Sequence, residues 1–338
     1  MDRADWLLGF THGWLKALAA RVESLKVICL EQGETDLPPN VEVISLGKER
    51  GVGRSWRWLR LARALAESIG EVDGVFAHMS PPFAIAAAPF AKVRRLPLVL
   101  WYTHRNVNAA LRLATTLSDA VVTASSESFQ LPTNKVKILG HGIDPEQFAP
   151  RSRPANDGVL LILAVGRLSP IKRYELLIEA AKRLRLQGIE FRWAIAGDDP
   201  PGSRDYGDSL RAMGRRHVGF LGAVPHGQIA AWYHRCSVAV NLCPTGGLDK
   251  AVLEAMFCAR PVLVTNQTFK SLLGVEGESW LVNENASAVA ETIAAILSDS
   301  AEAQRRADLV RERALAAHGL DGLMDRLVGV FQGLKSAI

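Results

Sequence analysis

Cysteine is scarce in this chain of 338 residues, and the four present, Cys29, Cys236, Cys243 and Cys258, form no closely spaced pair. That spacing excludes a disulfide framework and a thiolate metal site, and it reads as reduced core cysteines in a cytoplasmic protein. No run of eighteen or more apolar residues occurs, so no membrane-spanning helix is expected. The N-terminus sets Asp2 and Asp5 among other polar residues and lacks the charged head and apolar core of a secretory signal. Charge of one sign is not in marked excess: a net charge of +5 does not by itself imply nucleic acid, and no nucleic-acid partner is expected. No Gly-x-Gly-x-x-Gly follows a strand-like segment, which argues against a dinucleotide oxidoreductase. Internal short repeats and low-complexity tracts are absent as well.

What is present is an alternation of short apolar runs and amphipathic stretches. At 48% hydrophobic residues the chain can bury two cores, and its length suggests two domains. In the first half the expected strands are Val27–Leu30, Val41–Ser45, Gly74–His78, Leu98–Tyr102 and Ala120–Thr123. In the second they are Leu160–Val165, Phe191–Ala196, Val218–Leu221, Ser237–Leu242, Pro261–Val264 and Ser279–Val282. Helices between them give an α/β chain of two doubly wound sheets. The polar stretch Arg151–Asp157 is the expected linker, and Leu320–Leu334 reads as a final helix.

Two segments carry chemistry. In Val165–Ala180, Gly166 lets the backbone turn and Arg167 projects from the strand's carboxyl end, the edge where ligands sit in open α/β sheets. Lys172 follows at the opening of a helix whose apolar stripe is Leu176, Leu177, Ala180 and Leu184. Two cations beside a helix start suit a diphosphate. The competing reading pairs Arg167 with a core carboxylate and leaves Lys172 solvated. In Cys243–Val264, Gly246 and Gly247 have no β-carbon, so a phosphate or hydroxyl could approach the backbone closely. A helix beginning near Leu248 or Asp249 then sets Glu254 in its second turn, where a carboxylate can accept bonds from two vicinal hydroxyls. Lys250, four residues before Glu254, is a second candidate; a surface Lys–Glu pair is the bland alternative.

These segments, in this order and about eighty residues apart, resemble the second domain of the retaining nucleotide-sugar glycosyltransferases of the GT-B fold, family 4 or "group 1" type. The resemblance runs from about Gly9 to Leu334. Gly140–Pro150 is similar to the segment closing the family's first domain. Ala194–Asp198 is similar to its Gly-Asp/Glu-Gly turn, and Val218–Val224 to the strand lining its nucleobase pocket. The resemblance implies two Rossmann-like domains facing each other across a cleft, with an N-terminal domain at 1–150 and a nucleotide-sugar-binding domain at 151–319. A terminal helix at 320–338 would cross back to the first.

By the same resemblance Arg167 and Lys172 hold the donor diphosphate and Glu254 the ribose hydroxyls. Gly9, Gly166, Asp198, Val224, Gly246, Gly247, Leu248, Asp249 and Lys250 border the nucleotide-sugar. His104, just past the strand Leu98–Tyr102, lies near sugar and acceptor, where it would bond a hydroxyl or steer a proton; a satisfied structural histidine is the alternative. The implied reaction moves a sugar from a UDP or GDP donor to a hydroxyl of a glycan or lipid-linked acceptor. Attack comes on the same face, with the leaving phosphate taking the acceptor proton. The nucleotide-sugar is a co-substrate, and no cofactor or metal is required; no Asp-x-Asp stands near these segments. A same-fold epimerase or phosphorylase, or a non-catalytic binder, is the competing class.

Three features depart from the pattern or add to it. The family's paired Glu-x7-Glu has its second member at Glu254, but the first falls on Gly246. Asp249 would take over a sugar hydroxyl, or is an ordinary acidic helix start. The strand that normally opens the first domain is missing or reduced to a stub. The expectation is a sheet whose neighbours close up over the gap, or a start codon placed too late. Finally, Arg50–Arg63 interleaves arginines with Trp56 and Trp58, which suits peripheral contact with an anionic membrane surface, at the inner face for a cytoplasmic protein. A solvated basic face is the alternative.

Overall fold

The computed structural model describes residues 1–3, 5, 8–151, 159–200, 202, 204–244 and 246–336. In chain order the elements are α1 (Phe10–Ala19), β1 (Leu25–Cys29), β2 (Val41–Ser45), α2 (Arg54–Ser68), β3 (Val75–His78), α3 (Pro81–Val93), β4 (Leu98–Trp101), α4 (Ala109–Leu117), β5 (Ala120–Thr123) and β6 (Val136–Ile138). They continue with β7 (Leu160–Val165), α5 (Tyr174–Leu186), β8 (Phe191–Ala196), α6 (Arg204–Gly214), β9 (Gly219–Gly222), α7 (His226–Arg235), β10 (Val238–Asn241), α8 (Lys250–Phe257) and β11 (Val262–Val264). The last helices are α9 (Lys270–Gly277), α10 (Ala286–Ser298), α11 (Ser300–His318) and α12 (Leu320–Lys335).

The chain forms two compact units, Met1–Gly142 with His318–Ile338, and Ile143–Ala317. The expected boundaries lay at 150 and 319. The first crossing comes earlier because Ile143 and Phe148 are both buried in the second unit's apolar core. The expected linker lies outside the described residues apart from Arg151.

The second unit holds one five-stranded parallel sheet, ordered β11-β10-β7-β8-β9. Its central strands are apolar almost throughout, as burial on both faces requires. Helices α5 and α10 pack side by side, and so do α7 and α8. The stripe expected on α5 is largely observed: Leu177, Ala180 and Leu184 are buried and Leu176 is half-buried. One expected strand is corrected. Ser279–Val282 does not form a ladder; Glu278–Trp280 is a 3-10 turn that buries Trp280, and Leu281 makes a single bridge to Val264.

The first unit departs further. Its strands form two parallel sheets, β1-β2 and β3-β4-β5-β6, with no ladder between β1 and β3. The expectation that the neighbours of the missing strand close up is therefore wrong. The physical reason is visible in burial: β4 and β5 are buried at every residue, whereas β1 is only half-buried along its length. Apolar packing, not a shared ladder, joins the two sheets, since Ile28 of β1 and Val75 of β3 pack against one cluster with Leu46, Leu61, Leu65 and Leu98. Strand β6 was not anticipated; two of its three residues are exposed, so it carries little apolar signal. Helix α12 belongs to this unit, where Leu320, Leu323, Met324, Leu327 and Val330 bury against Trp14, Val99, Trp101 and Val122.

Candidate functional site

In the second unit the chain runs from β7 to β8 on one side, and β10 lies on the other. The crevice outside the carboxyl ends of β7 and β10 is thus a topological switch point, the usual place for a ligand in an open α/β sheet. Two loops border it, one after Val165 and one after Asn241. The first is tightly built. Gly197, at the end of β8, has φ +150°, and a Cβ there would fall 2.0 Å from the Gly166 carbonyl oxygen. That carbonyl accepts a hydrogen bond from the Tyr174 hydroxyl at 2.9 Å, and the Leu168 N–H donates to the Asp198 carbonyl at 3.0 Å.

Arg167 is exposed at the end of this strand and, among the described residues, enters no ion pair. Lys172 sits differently from its sequence expectation. Pro170–Lys172 is a 3-10 turn, Arg173 takes a left-handed conformation at φ +53°, and only then does α5 begin. The Lys172 ammonium reaches across the switch point and donates to Asp249. Burial pushes the Lys172 pKa down, but Asp249 outweighs it and the net direction is up. Burial likewise pushes Asp249 up, yet Lys172 and Asn241 hold its carboxyl below the usual carboxylate range.

Asp249 is the N-cap of α8. One carboxylate oxygen accepts from the Ala251 N–H at 3.2 Å and the other from the Asn241 amide at 2.9 Å as well as from Lys172. Its role as a helix start is therefore realised, and both oxygens have partners. Lys172 and Asp249 together carry no net charge. The uncompensated positive charge at the switch point resides on Arg167.

Lys250 opens α8 half-buried, and desolvation lowers its pKa to about 7, opposed in part by Glu254. This is not the solvated surface pair that spacing alone allows. Gly246, at φ +111°, has no atom within 4 Å of the place a Cβ would occupy, so the turn ahead of α8 borders open space. Gly247 accepts a bond from Asn266 through its carbonyl, and Leu248 is buried. Val224, just past β9, is half-buried against the core. Asp198 is engaged internally, accepting from Arg211 at 3.0 Å.

Glu254 is buried, 6% exposed, in the second turn of α8. Its carboxylate accepts from the Tyr233 hydroxyl at 3.3 Å and lies 3.2 Å from His226 Nε2. Gln147 in turn lies against His226. Sequence reasoning singled out none of Gln147, His226, Tyr233 and Asn241. The one signal available was His226 itself, a polar residue opening a helix two positions past Val224. Gly9 and His104 belong to the first unit. Gly9 is the N-cap of α1, and His104 is exposed in the loop after β4, its Nδ1 accepting from the Asn106 N–H at 3.0 Å.

Residues 160–299 match the family described as "Glycosyl transferases group 1". Over that stretch the chain is similar to the group 1 glycosyltransferases. That stretch contains Arg167, Lys172, Asp249, Lys250 and Glu254. Among curated relatives, WcaL of Escherichia coli K12, provisionally assigned as a colanic acid biosynthesis glycosyltransferase, is 30% identical over 177 residues, 48% of this chain and 42% of WcaL. The glycogen synthase of Mycobacterium tuberculosis is 25% identical over 292 residues, 79% of this chain and 66% of the synthase. The chain thus spans between two fifths and two thirds of the length of these relatives. Among solved structures, Anabaena Alr3699/HepE in complex with UDP superposes with a TM-score of 0.76 at 17% identity over 98% of each chain. That likeness gives the chain the GT-B fold. Among the described residues no helix is long and apolar enough to cross a membrane.

Proposed function

We propose that this chain is a retaining glycosyltransferase that moves a sugar from a UDP- or GDP-activated donor to a hydroxyl of a glycan or lipid-linked acceptor. One observation carries the reading: the contact of Lys172 with Asp249 joins the two loops of the switch point, with Arg167 exposed at one side and Glu254 buried at the other. A nucleoside diphosphate fits that arrangement, with its pyrophosphate at Arg167 and Lys172 and its ribose at Glu254. An ammonium has three N–H donors, so Lys172 bonded to Asp249 keeps two for phosphate oxygens. Arg167 supplies the net charge that stabilises the departing diphosphate, the main electrostatic demand of such a transfer. The UDP complex of the similar Alr3699/HepE supports the choice of ligand class.

No protein nucleophile is needed if the leaving phosphate accepts the acceptor's proton. The nucleotide-sugar is then a co-substrate, and no resident cofactor is invoked. The acceptor side includes peripheral contact with an anionic membrane from the cytoplasmic face, supported by the outward side chains of α2. Nucleotide-sugar turnover tests the enzyme reading. Arg167→Ala and Lys172→Ala are each expected to lower transfer at least a hundredfold, in line with losses seen when a charge-stabilising donor is removed. The thermal melt should stay unchanged in Arg167→Ala and fall in Lys172→Ala, which leaves Asp249 without its cation. Full residual activity in both variants refutes it; nucleotide binding without transfer or donor hydrolysis by the parent chain indicates the non-catalytic alternative.

A further inference from the structure

Beside Glu254, Gln147 and His226 are arranged as a chain of polar groups. The Gln147 side-chain nitrogen lies 3.0 Å from the His226 carbonyl oxygen and 3.3 Å from His226 Nδ1. The carbonyl can only accept, so the group facing it is the NH2 of Gln147 rather than its oxygen. The second N–H of that amide then points to Nδ1, which must accept it. A neutral imidazole with an acceptor at Nδ1 carries its proton at Nε2. Nε2 lies 3.2 Å from the Glu254 carboxylate and donates to it. The imidazole is braced edge-on by Phe148, with ring centroids 5.7 Å apart.

The count of lone pairs at Glu254 is the consequential part. A carboxylate offers about four acceptor sites, two per oxygen. His226 occupies one on Oε1, and Oε2 has at most a share of the single Tyr233 O–H, which lies nearer the Ala251 carbonyl, 2.9 Å against 3.3 Å. At least one site remains on each oxygen, in a group only 6% exposed. That pattern matches a vicinal diol, which donates one O–H to each oxygen.

We propose that Gln147 and His226 are positioning residues for the Glu254 carboxylate, fixing its plane so that it takes both hydroxyls of a ribose and selects ribonucleotides over 2′-deoxyribonucleotides. The proposal rests on the nucleoside diphosphate reading given above. It adds a selectivity that neither the Glu254 spacing nor the switch-point topology supplies.

Binding of four nucleotides by titration calorimetry tests it: UDP, GDP and their 2′-deoxy counterparts. The parent chain is expected to bind its preferred ribonucleotide roughly tenfold or more tightly than the deoxy form, because the deoxy form leaves a buried charged acceptor unmet. His226→Phe keeps the ring against Phe148 and removes the donor; the ribose-to-deoxy ratio should fall to about twofold. Gln147→Leu frees the tautomer and should lower the ratio by about threefold. His226→Gln, which returns an N–H near the position of Nε2, should restore much of it. A merely structural role weakens both nucleotides alike and leaves the ratio unmoved. If His226→Phe does not fold, Gln147→Leu decides.

A ratio near one in the parent chain, or one unchanged in the folded variants, overturns the inference while the donor reading stands. Failure of the parent chain to bind any of the four overturns the donor reading and the inference with it.

Discussion

Lys250 illustrates how far a single side chain can depart from what its spacing suggests. Four residues before Glu254 it has the separation of an ordinary helix pair, worth a few tenths of a kcal/mol when solvated. Desolvation instead brings its pKa from 10.5 to about 7. Between those two values the folded chain holds Lys250 neutral while the unfolded chain protonates it. The unfolded state therefore binds more protons, and stability rises with pH across that window. Lys250→Met removes the effect. The variant should melt higher than the parent at pH 7 and below, and the gap should narrow as pH approaches 10.5. Paired thermal melts at fixed ionic strength from pH 6 to 10 check this, and a gap that stays constant with pH contradicts it. The same residue shows what a sequence withholds. The places of Gly166, Arg167 and Glu254 were legible because a buried strand or a helix start fixes where each residue lies, whereas the 3-10 turn that holds Lys172 ahead of α5 was not. Desolvation at Lys250, the Lys172–Asp249 contact and the Gln147–His226–Glu254 chain were not. Each depends on which side chains approach from 28 to 79 residues away.

At the level of elements, helix α2 buries Leu61, Ala64 and Leu65, which lie at helical spacing. Its outer face has a consequence for partners. From Arg50 to Ala66 there are five arginines and no acidic residue. Trp58 packs edge-on against Phe83, but Trp56 and Leu59 stand 65% and 58% exposed among the arginines. Apolar side chains flanked by arginines are suited to the headgroup region of an anionic bilayer, where each cation near the surface contributes about 1 kcal/mol. The chain should pellet with phosphatidylserine-containing vesicles at low salt and be released as salt shortens the Debye length. The double variant Trp56→Ser with Leu59→Ser should lose most binding. Absence of binding at low salt ends the membrane proposal. Strand pairing was less legible than helices. The split between β1-β2 and β3-β4-β5-β6 follows from which strands find partners, and the apolar runs of β1 and β3 are alike whether or not a ladder joins them. Ser279–Val282 failed for a related reason: burial of Trp280 by a 3-10 turn produces the same short apolar run as a strand.

For the whole molecule, the decisive fact is that the first unit is not continuous in sequence. The chain leaves it after Gly142 and returns at His318. Both passages are anchored within that unit: the Trp14 indole donates to the Gly142 carbonyl at 2.9 Å, and the His141 N–H donates to His318 Nδ1 at 3.2 Å. Burial lowers the pKa of His318 to about 4, helped by Arg326, so this acceptor stays neutral in the folded chain near pH 7. Beyond it, α12 contributes five buried apolar side chains. Burial of each is worth about 1.5–3 kcal/mol, and together they rival the 5–15 kcal/mol of a typical domain's net stability. The largest buried cluster, by contrast, draws wholly on residues between Ile143 and Ala314. Ending the chain at Ala317 should therefore unfold the first unit while the second keeps its sheet and its core. Limited proteolysis of that truncated chain should degrade the first 142 residues and leave a resistant fragment of about twenty kilodaltons. The fragment 143–317, expressed alone, should show a single cooperative melt, raised by the preferred nucleoside diphosphate through mass action. Equal protection of both segments after the truncation would mean that α12 does not hold the first unit together. A nucleotide-induced shift in the full chain but none in the isolated fragment would mean that the switch point needs residues outside 143–317 to bind.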